Sequence, residues 1–204
     1  SATSACFVRG VDLGDSGAVV ALASVRDNDL VLAIWHPETE VIARKEFSRP
    51  CGEGECAPTT LDARAWENDI VAVVGVPRVN SYAGTALVVE WSEGTPVQLA
   101  ELHSCGLSIK GAASAESQII GSGVSKESIE WSSQFGGVVR LLAGPESRLL
   151  VAVGGPESCV FGGVTVFDAR TTERVWALLS DDQSVPTWGH HIGVALGESR
   201  SAGG

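Results

Sequence analysis

Ser16 is the residue whose neighbours best suit covalent chemistry, because it lies in the sequence Gly-Asp-Ser-Gly at residues 14–17. This tetrapeptide can frame a nucleophilic serine, but such a serine needs a histidine base and a carboxylate that orients the histidine. Ser16 stands at the start of the chain, without such partners at a usable spacing. The same four residue types are typical of a tight turn. We therefore predict a hairpin turn here, before a strand at Ala18–Ser24, and no catalytic residue.

An incomplete calcium-binding pattern overlaps the same turn. Asp12, Asp15 and Gly17 have the spacing of part of a calcium loop, and a second acidic group follows at residues 27–29. A calcium loop needs several more oxygen ligands at alternating positions than either group supplies. The sequence therefore predicts no calcium site.

Cysteine and histidine side chains that could bind zinc occur in two pairs, Cys51 with Cys56 and His103 with Cys105. The Gly-Glu-Gly-Glu run between the first two reads as a flexible acidic loop, and the two pairs fall on separate predicted sheets. We therefore predict no zinc site, although an oxidising compartment would permit a Cys51–Cys56 disulfide. The cysteines number five and are spread over the chain, which favours reduced, intracellular thiols over a disulfide framework.

Aromatic and basic residues in predicted loops are the better candidates for a functional surface. His190 and His191 follow Trp188 after a proline, and we interpret this pair as structural rather than catalytic or metal-binding. Tryptophan, tyrosine and arginine on rigid turns carry most of the binding energy of many protein interfaces. With the acidic segment 51–60, the predicted interaction surface includes Trp66, Arg78, Tyr82, Trp188, His190 and His191.

The composition indicates a folded, acidic protein without a cofactor motif. Hydrophobic residues make up 44% of the 204 residues and charged residues 19%, which argues against disorder. The formal net charge of −11 repels phosphate backbones and disfavours nucleic-acid binding, whereas it is compatible with a basic protein partner. No apolar run reaches the roughly 18 residues of a membrane span. The absence of methionine suggests a fragment or a processed product.

Short apolar runs separated by turn residues recur along the chain and predict an all-β fold. The clearest example lies between Gly137 and Leu179, where four runs are separated by Pro-Glu-Ser, Gly-Gly-Pro and Ala-Arg-Thr-Thr. Val, Phe and Trp in such runs are typical of antiparallel strands. Helical spacing is confined to Leu61–Trp66 and Ser125–Trp131, so helix should account for at most about a tenth of the chain.

A hairpin with an aromatic residue before its turn is repeated. Trp35, Trp91 and Phe167 each end an alternating strand, a polar turn follows, and a second strand begins near a valine. An incomplete copy ends at Trp131. Repeats of this length indicate one small sheet stacked several times, because a sheet alone leaves a face unburied. We expect the aromatic residues at equivalent positions in successive sheets, with inner strands at Ala18–Ser24, Ile70–Gly75, Gln118–Gly123 and Leu149–Gly154.

The segment VRLLAGPESRLLVAVGG followed by GGVTVFDARTTERVWAL resembles a WD-type repeat, with Phe167-Asp168 at the usual Trp-Asp position. LVLAIWHPETEVIARKEF is similar, with Trp35-His36 in that place, while Trp91-Ser92 and Trp131-Ser132 occupy the other two. A Gly-His pair, also typical of the family, occurs at Gly189-His190. Kelch-type and integrin-type propeller repeats fit the same segment nearly as well. All three resemblances imply a β-propeller.

The repeats predict one propeller-like domain over residues 1–204, with fewer blades than WD-repeat propellers usually have. Blades are expected at about 6–47, 57–103, 104–133 and 134–180, and a further blade begins at 186–204. Two tandem β-rich modules that divide near residues 101–106, or a β-sandwich, are the alternatives. The resemblance implies a non-enzymatic scaffold that binds another protein through its loop faces, with a propeller-type hydrolase or carbohydrate-binding domain as the alternative.

Two further expectations concern the edges and the core. An incomplete set of blades leaves a sheet edge with unpaired backbone groups. The strands near Phe7–Leu13 and Ile192–Leu196 should therefore pair with each other or with a partner chain that closes the edge. Val166 and Trp176 are expected in the core of the last complete sheet, so that removing the indole would cost about 3–5 kcal/mol.

Overall fold

The structure, a computed structural model, is built from antiparallel strands. It describes residues 6–13, 19–24, 30–35, 42–47, 60–77, 84–92, 95–103, 108–110, 119–120, 135–155 and 163–179. These residues form three sheets in which chain neighbours are also sheet neighbours, so each sheet is an up-and-down meander. The predicted all-β class is confirmed.

Sheet 1 contains β1 to β4 in chain order. Its strands are β1 (Cys6–Asp12), β2 (Val19–Ser24), β3 (Leu30–Trp35) and β4 (Ile42–Phe47). The two central strands, VVALAS and LVLAIW, are apolar at nearly every position, which is typical of strands with both faces buried.

Sheet 2 has six strands in the order β10-β9-β8-β7-β6-β5. They are β5 (Thr60–Trp66), β6 (Asp69–Val76), β7 (Thr85–Ser92), β8 (Thr95–Leu102), β9 (Ser108–Lys110) and β10 (Ile119–Ile120). β5 corrects one expectation, because Leu61–Trp66 had helical spacing. As a strand, it places Leu61 and Ala63 on one buried face, and its backbone pairs with β6 along its whole length.

Sheet 3 contains β11 (Val138–Ala143), β12 (Leu149–Gly155), β13 (Gly163–Asp168) and β14 (Arg174–Leu179) in chain order. These are the four runs that the sequence predicted between Gly137 and Leu179. A single 3-10 turn at Pro145–Ser147 joins β11 to β12 and is the one helical element in the described ranges. None of the helical structure described for the chain could cross a membrane.

The segment 104–133 differs from the expected separate blade in its described parts. β9 pairs with β8, and β10 pairs with β9, so both extend the outer edge of sheet 2. The inner strand expected at Gln118–Gly123 is represented by β10 alone, which lies at the opposite edge from β5. A strand at the edge of a sheet leaves one row of backbone groups without a partner strand. At the β8 side of sheet 2, β9 and then β10 of the same chain pair with these groups.

The sheets stack face to face, with sheet 2 in the middle. One face of sheet 2 packs against sheet 1 through Leu32 and Ile34, which contact a cluster that includes Val74, Leu87 and Trp91. Its other face packs against sheet 3 through a second, larger cluster: Val71, Val73, Ala86, Val88, Ala100, Leu102, Phe135, Val139, Leu141, Leu149, Val151, Val153, Phe167 and Ala169. Apolar side chains on both faces of β6 and β7 are thereby removed from water, which is the main stabilising term. In the part of the chain that the structure describes, the stack is open rather than a closed ring.

The repeated aromatic residues occupy corresponding places, as predicted. Trp35, Trp91 and Phe167 each lie at the end of the third strand of their sheet, just before the turn to the fourth strand. Trp91 and Phe167 face the preceding sheet and are buried, whereas Trp35 is 43% exposed. The other predicted landmark, Trp131, lies outside the described residues.

The prediction for Trp176 is wrong. Val166 is buried as expected, but Trp176 is 52% exposed. Both belong to one cross-strand pair, yet Trp176 lies on β14, the outermost strand of sheet 3, next to a register shift after Val166. Its indole therefore extends at the margin of the sheet, and Phe167 supplies the large aromatic side chain of the core.

Candidate functional site

Two ends of the sheet 2–sheet 3 stack can be distinguished by their connections. The Thr60 hydroxyl donates to the Gly136 carbonyl at 2.8 Å, and the Leu141 amide donates to Asp62 Oδ2 at 2.8 Å, so β5 and β11 run in the same direction. In both sheets the links from the second to the third strand therefore leave from one end, which we call the connection end. The turns between first and second and between third and fourth strands form the hairpin end.

Residues 135 and 136 form a rigid junction at the connection end. Phe135 forms a parallel bridge with Gly84 and packs edge-to-face against Phe167, with ring centroids 6.4 Å apart. The Gly136 amide donates to the Gly154 carbonyl at 3.2 Å. Because a single segment is bonded to β5, to β12 and to the start of β7, it fixes sheet 3 against sheet 2 at this end.

A buried polar cluster lies beside this junction. The Thr85 hydroxyl is 3.2 Å from Glu101 Oε1 and 2.9 Å from the Leu102 carbonyl, and His103 Nε2 is 3.4 Å from the same Glu101 oxygen. Thr85, Glu101 and His103 are at most 3% exposed. Buried polar groups are costly unless they are hydrogen-bonded, and the Thr85 hydroxyl meets this requirement through Glu101 and the Leu102 carbonyl.

The cluster has the residue types of a nucleophile, a base and a carboxylate, but its geometry does not suit acyl transfer. In a catalytic triad the histidine contacts the hydroxyl and the carboxylate orients the histidine. Here the carboxylate of Glu101 contacts both the Thr85 hydroxyl and the imidazole. All three side chains are buried, and the hydrogen bonds of the Thr85 hydroxyl to Glu101 and to the Leu102 carbonyl link β7 to β8.

From its sequence neighbours, His103 was a candidate only for zinc binding, together with Cys105. Cys51, Cys56 and Cys105 lie outside the described residues, and the described residues contain no group of three or more metal-binding side chains. The contact between Glu101 and His103 could have been predicted from their spacing, because residues two apart along an extended chain lie on the same face. Their approach to Thr85 depends on the β7–β8 register, which contains a shift at Val88.

An ion-pair network occupies the hairpin end. Arg170 Nη2 lies 2.8 Å from Glu67 Oε2 and 3.8 Å from Asp69 Oδ2, so it joins the β5–β6 turn to the β13–β14 turn. The hydrogen bond to Glu67 raises the pKa of the Arg170 guanidinium. Burial raises the pKa of the Glu90 carboxyl, and the negative charge of Asp69 raises it further. Three carboxylates thus share one arginine in this network.

The β13–β14 turn is organised by Asp168. Its Oδ1 accepts hydrogen bonds from the backbone amides of Arg170 and Thr171, each at 2.9 Å, and its carbonyl accepts from the Thr172 amide at 2.9 Å. An aspartate that caps its own turn in this way fixes the backbone of the next residues. Thr172 can therefore adopt a positive φ of 61°, and Arg170 is presented toward Glu67.

Six residues were predicted to form an interaction surface, and Trp66 is the one among them that the structure describes. It ends β5 at the hairpin end, is partly buried, and packs against the cluster between sheets 2 and 3. The other five lie outside the described residues: Arg78, Tyr82, Trp188, His190 and His191. Arg78 and Tyr82 belong to the link between β6 and β7, which starts and ends at the connection end, whereas Trp66 lies at the hairpin end.

The remaining predicted sites and strands lie largely outside the described part of the chain. Ser16, Asp15 and the strand near Ile192–Leu196 belong to this group. β1 pairs with β2, which confirms a strand near Phe7–Leu13 but leaves its predicted outer partner untested. No family model matches this chain, and no curated protein matches it either.

Proposed function

We propose that the protein is a non-enzymatic interaction module that binds a protein partner through the connection end of its sheet stack. The observation that carries this proposal is the rigid junction at Phe135 and Gly136, because it fixes the strands from which the links leave sheets 2 and 3. A binding surface formed by loops needs such a scaffold to limit the entropy lost on association.

The proposed contact residues are Arg78 and Tyr82 in the β6–β7 link, together with the acidic segment that precedes Thr60. Arg and Tyr are enriched among residues that dominate binding energies. The net charge of −11, with Glu53 and Glu55 in the acidic segment, favours a partner with a basic surface. Trp188, His190 and His191 remain proposed contributors on the sequence alone.

We further propose that the sheets are repeats of the WD type. Support comes from the corresponding places of Trp35, Trp91 and Phe167 at the ends of third strands. Further support comes from Asp168, which follows Phe167 and organises the next turn through its side chain.

The proposal is tested by affinity purification of the tagged chain from its native source, followed by mass measurement of the intact complex and by titration of the purified partner. The double variant Arg78→Ala/Tyr82→Ala should weaken binding by at least about tenfold, the loss expected when interface anchors are removed. Arg170→Ala is the matched control, because it removes an exposed arginine from the hairpin end.

The two variants separate the outcomes. Binding that resists the double variant but fails with Arg170→Ala would move the surface to the hairpin end and refute the proposal. A monomer that captures no partner and hydrolyses a sugar or an ester in a substrate screen would instead support the enzymatic alternative.

A further inference from the structure

The buried polar cluster at the connection end contains a histidine, the side chain that ordinarily titrates between about pH 5 and pH 8. His103 follows the last residue of β8, and its Nε2 atom lies 3.4 Å from Glu101 Oε1. Glu101 pairs with Leu87, which belongs to the core cluster between sheets 1 and 2. The carboxylate beside the imidazole therefore lies on the face of β8 toward sheet 1.

The strands around this pair supply other charges, but of types that ordinarily do not titrate in the same range. On the face toward sheet 1, the described strands β6 and β7 carry uncharged residues, including Thr85, and β9 adds Ile109. The charged residues of β4, which lies beside β8, are Arg44, Lys45 and Glu46. Lys45 pairs with Leu32, so the register assigns it to the face of β4 toward sheet 2. Since lysine, arginine and glutamate ordinarily keep their charge between about pH 5 and pH 8, the titrating group among these described neighbours is His103.

The Thr85 hydroxyl has two acceptors but a single proton to donate. Its oxygen lies 3.2 Å from Glu101 Oε1 and 2.9 Å from the Leu102 carbonyl oxygen. The contact of the same Glu101 oxygen with His103 Nε2, at 3.4 Å, is longer than the roughly 2.7–2.9 Å of a charge-assisted hydrogen bond. Protonation of His103 makes both ring nitrogens donors and gives the ring a positive charge, which favours a shorter contact with Glu101. The Thr85 proton is then left to the Leu102 carbonyl, so the cluster has two hydrogen-bond arrangements.

We propose that this cluster is a pH-responsive switch and, on the basis of the function proposed above, that its protonated form binds the basic partner more weakly. Thr85 is the first residue of β7 after the β6–β7 link, and the preceding Gly84 is bridged to Phe135. A change of hydrogen bond at Thr85 therefore acts where the link that carries Arg78 and Tyr82 is fixed. An imidazolium also adds a positive charge at the end proposed to meet a basic surface, and like charges weaken association.

The local switch is tested without a partner, by NMR of the full chain between about pH 5 and pH 8. The His103 ring resonances should titrate in this range. The carbonyl carbon of Leu102, which gains the Thr85 proton, should shift with the same midpoint. Thr85→Val replaces the hydroxyl by a methyl group, so the Leu102 resonance should lose most of its pH dependence. His36→Gln is the matched control, since it removes a histidine that follows β3 of sheet 1 in the chain, and it should leave the Leu102 response unchanged.

The effect on binding is tested by calorimetric titration with the partner purified by affinity capture on the tagged chain. A positive charge about 10 Å from the interface should raise the dissociation constant of the parent roughly three- to tenfold between about pH 7.5 and pH 5.5. His103→Gln should abolish this dependence on pH, because its side chain stays neutral. His36→Gln should retain the dependence of the parent.

A Leu102 resonance that ignores pH, or that responds equally in Thr85→Val, overturns the switch whether or not a partner binds. A pH dependence of binding that persists in His103→Gln would come from another histidine, such as His190 or His191, and would overturn the regulation. If no partner binds at either pH while Leu102 responds as expected, the proposed function fails and the local switch stands. If His103→Gln fails to fold, Thr85→Val replaces it in the titration, and an unchanged pH dependence of binding then overturns the regulation.

Discussion

Replacing Gly136 by alanine is expected to destabilise the protein strongly. Gly136 has a φ of +89°, a region that L-amino acids rarely adopt, and a Cβ added there would lie 2.3 Å from the Thr85 carbonyl oxygen and 3.1 Å from the Val76 amide nitrogen. Both contacts are backbone atoms of paired strands in the middle sheet. The clash therefore cannot be relieved by rotation of a side chain, and residue 136 has to move.

The magnitude follows from two costs. An unfavourable φ at a non-glycine residue costs about 1–3 kcal/mol. Displacement of residue 136 also disrupts the hydrogen bond that its carbonyl accepts from Thr60, and a buried group left unpaired costs about 1–3 kcal/mol. The sum is about 4 kcal/mol, which lowers the melting temperature of a protein of this size by roughly 8–16 °C.

The assay is urea and thermal unfolding followed by far-ultraviolet circular dichroism. Gly144→Ala is the control, since Gly144 has a φ of −94°, and its added Cβ would lie 2.9 Å from Cδ1 and Cγ of Leu150 and 3.2 Å from the Arg148 carbonyl oxygen. Because this contact is mainly with a side chain and the φ is favourable, the control should lose clearly less stability than Gly136→Ala. The reasoning is refuted if Gly136→Ala melts within two or so degrees of the parent, or if both variants lose equal stability.

Other perturbations test the remaining contacts. Asp62→Ala removes the acceptor of the Leu141 amide between sheets 2 and 3, and urea unfolding should show a loss of about 1–3 kcal/mol; no loss would mean that water replaces the carboxylate. Glu90 has a raised pKa in the folded state, so it contributes stability that is lost as pH rises through that pKa. Glu90→Gln should therefore flatten the fall in melting temperature above pH 4.5, and an unchanged pH profile would refute this role of burial and of Asp69. Trp176→Ala should change the melting temperature by only a few degrees because the indole is half-exposed, whereas a loss of 3–5 kcal/mol would restore its predicted core position.

The strands were predictable because their signals are local. Short apolar runs between turn residues predict β3 and β11 with the bounds that the structure shows. β5 was predicted as helical because Leu61 and Ala65 lie four apart, but Leu61, Ala63 and Ala65 also alternate with polar residues, and pairing with β6 selects the strand. The attachment of β9 and β10 to sheet 2 depends on contacts between edges, which no local pattern encodes.

The sites were less predictable than the strands because they depend on register. Glu101 and His103 share a face by simple alternation, but their contact with Thr85 requires one particular pairing of β7 with β8. Similarly, Trp176 and Val166 are cross-strand partners, and only the position of β14 at the margin of sheet 3 explains why one is exposed and the other buried.

Sheet 2 contributes to both core clusters and so to much of the stability, whereas the proposed binding residues belong to a link between two of its strands. β6 and β7 are buried on both faces, so most apolar contacts of the stack depend on them, and the Gly136 junction ties sheet 3 to their ends. The β6–β7 link leaves from these same strands, so the folded stack holds both ends of the link, at Val76 and Thr85. Changes to Arg78 and Tyr82 should therefore alter binding without altering the melting temperature, while Gly136→Ala should reduce both together. A loop variant that unfolded the stack would show that the link belongs to the core, and the proposed division between scaffold and surface would then fail.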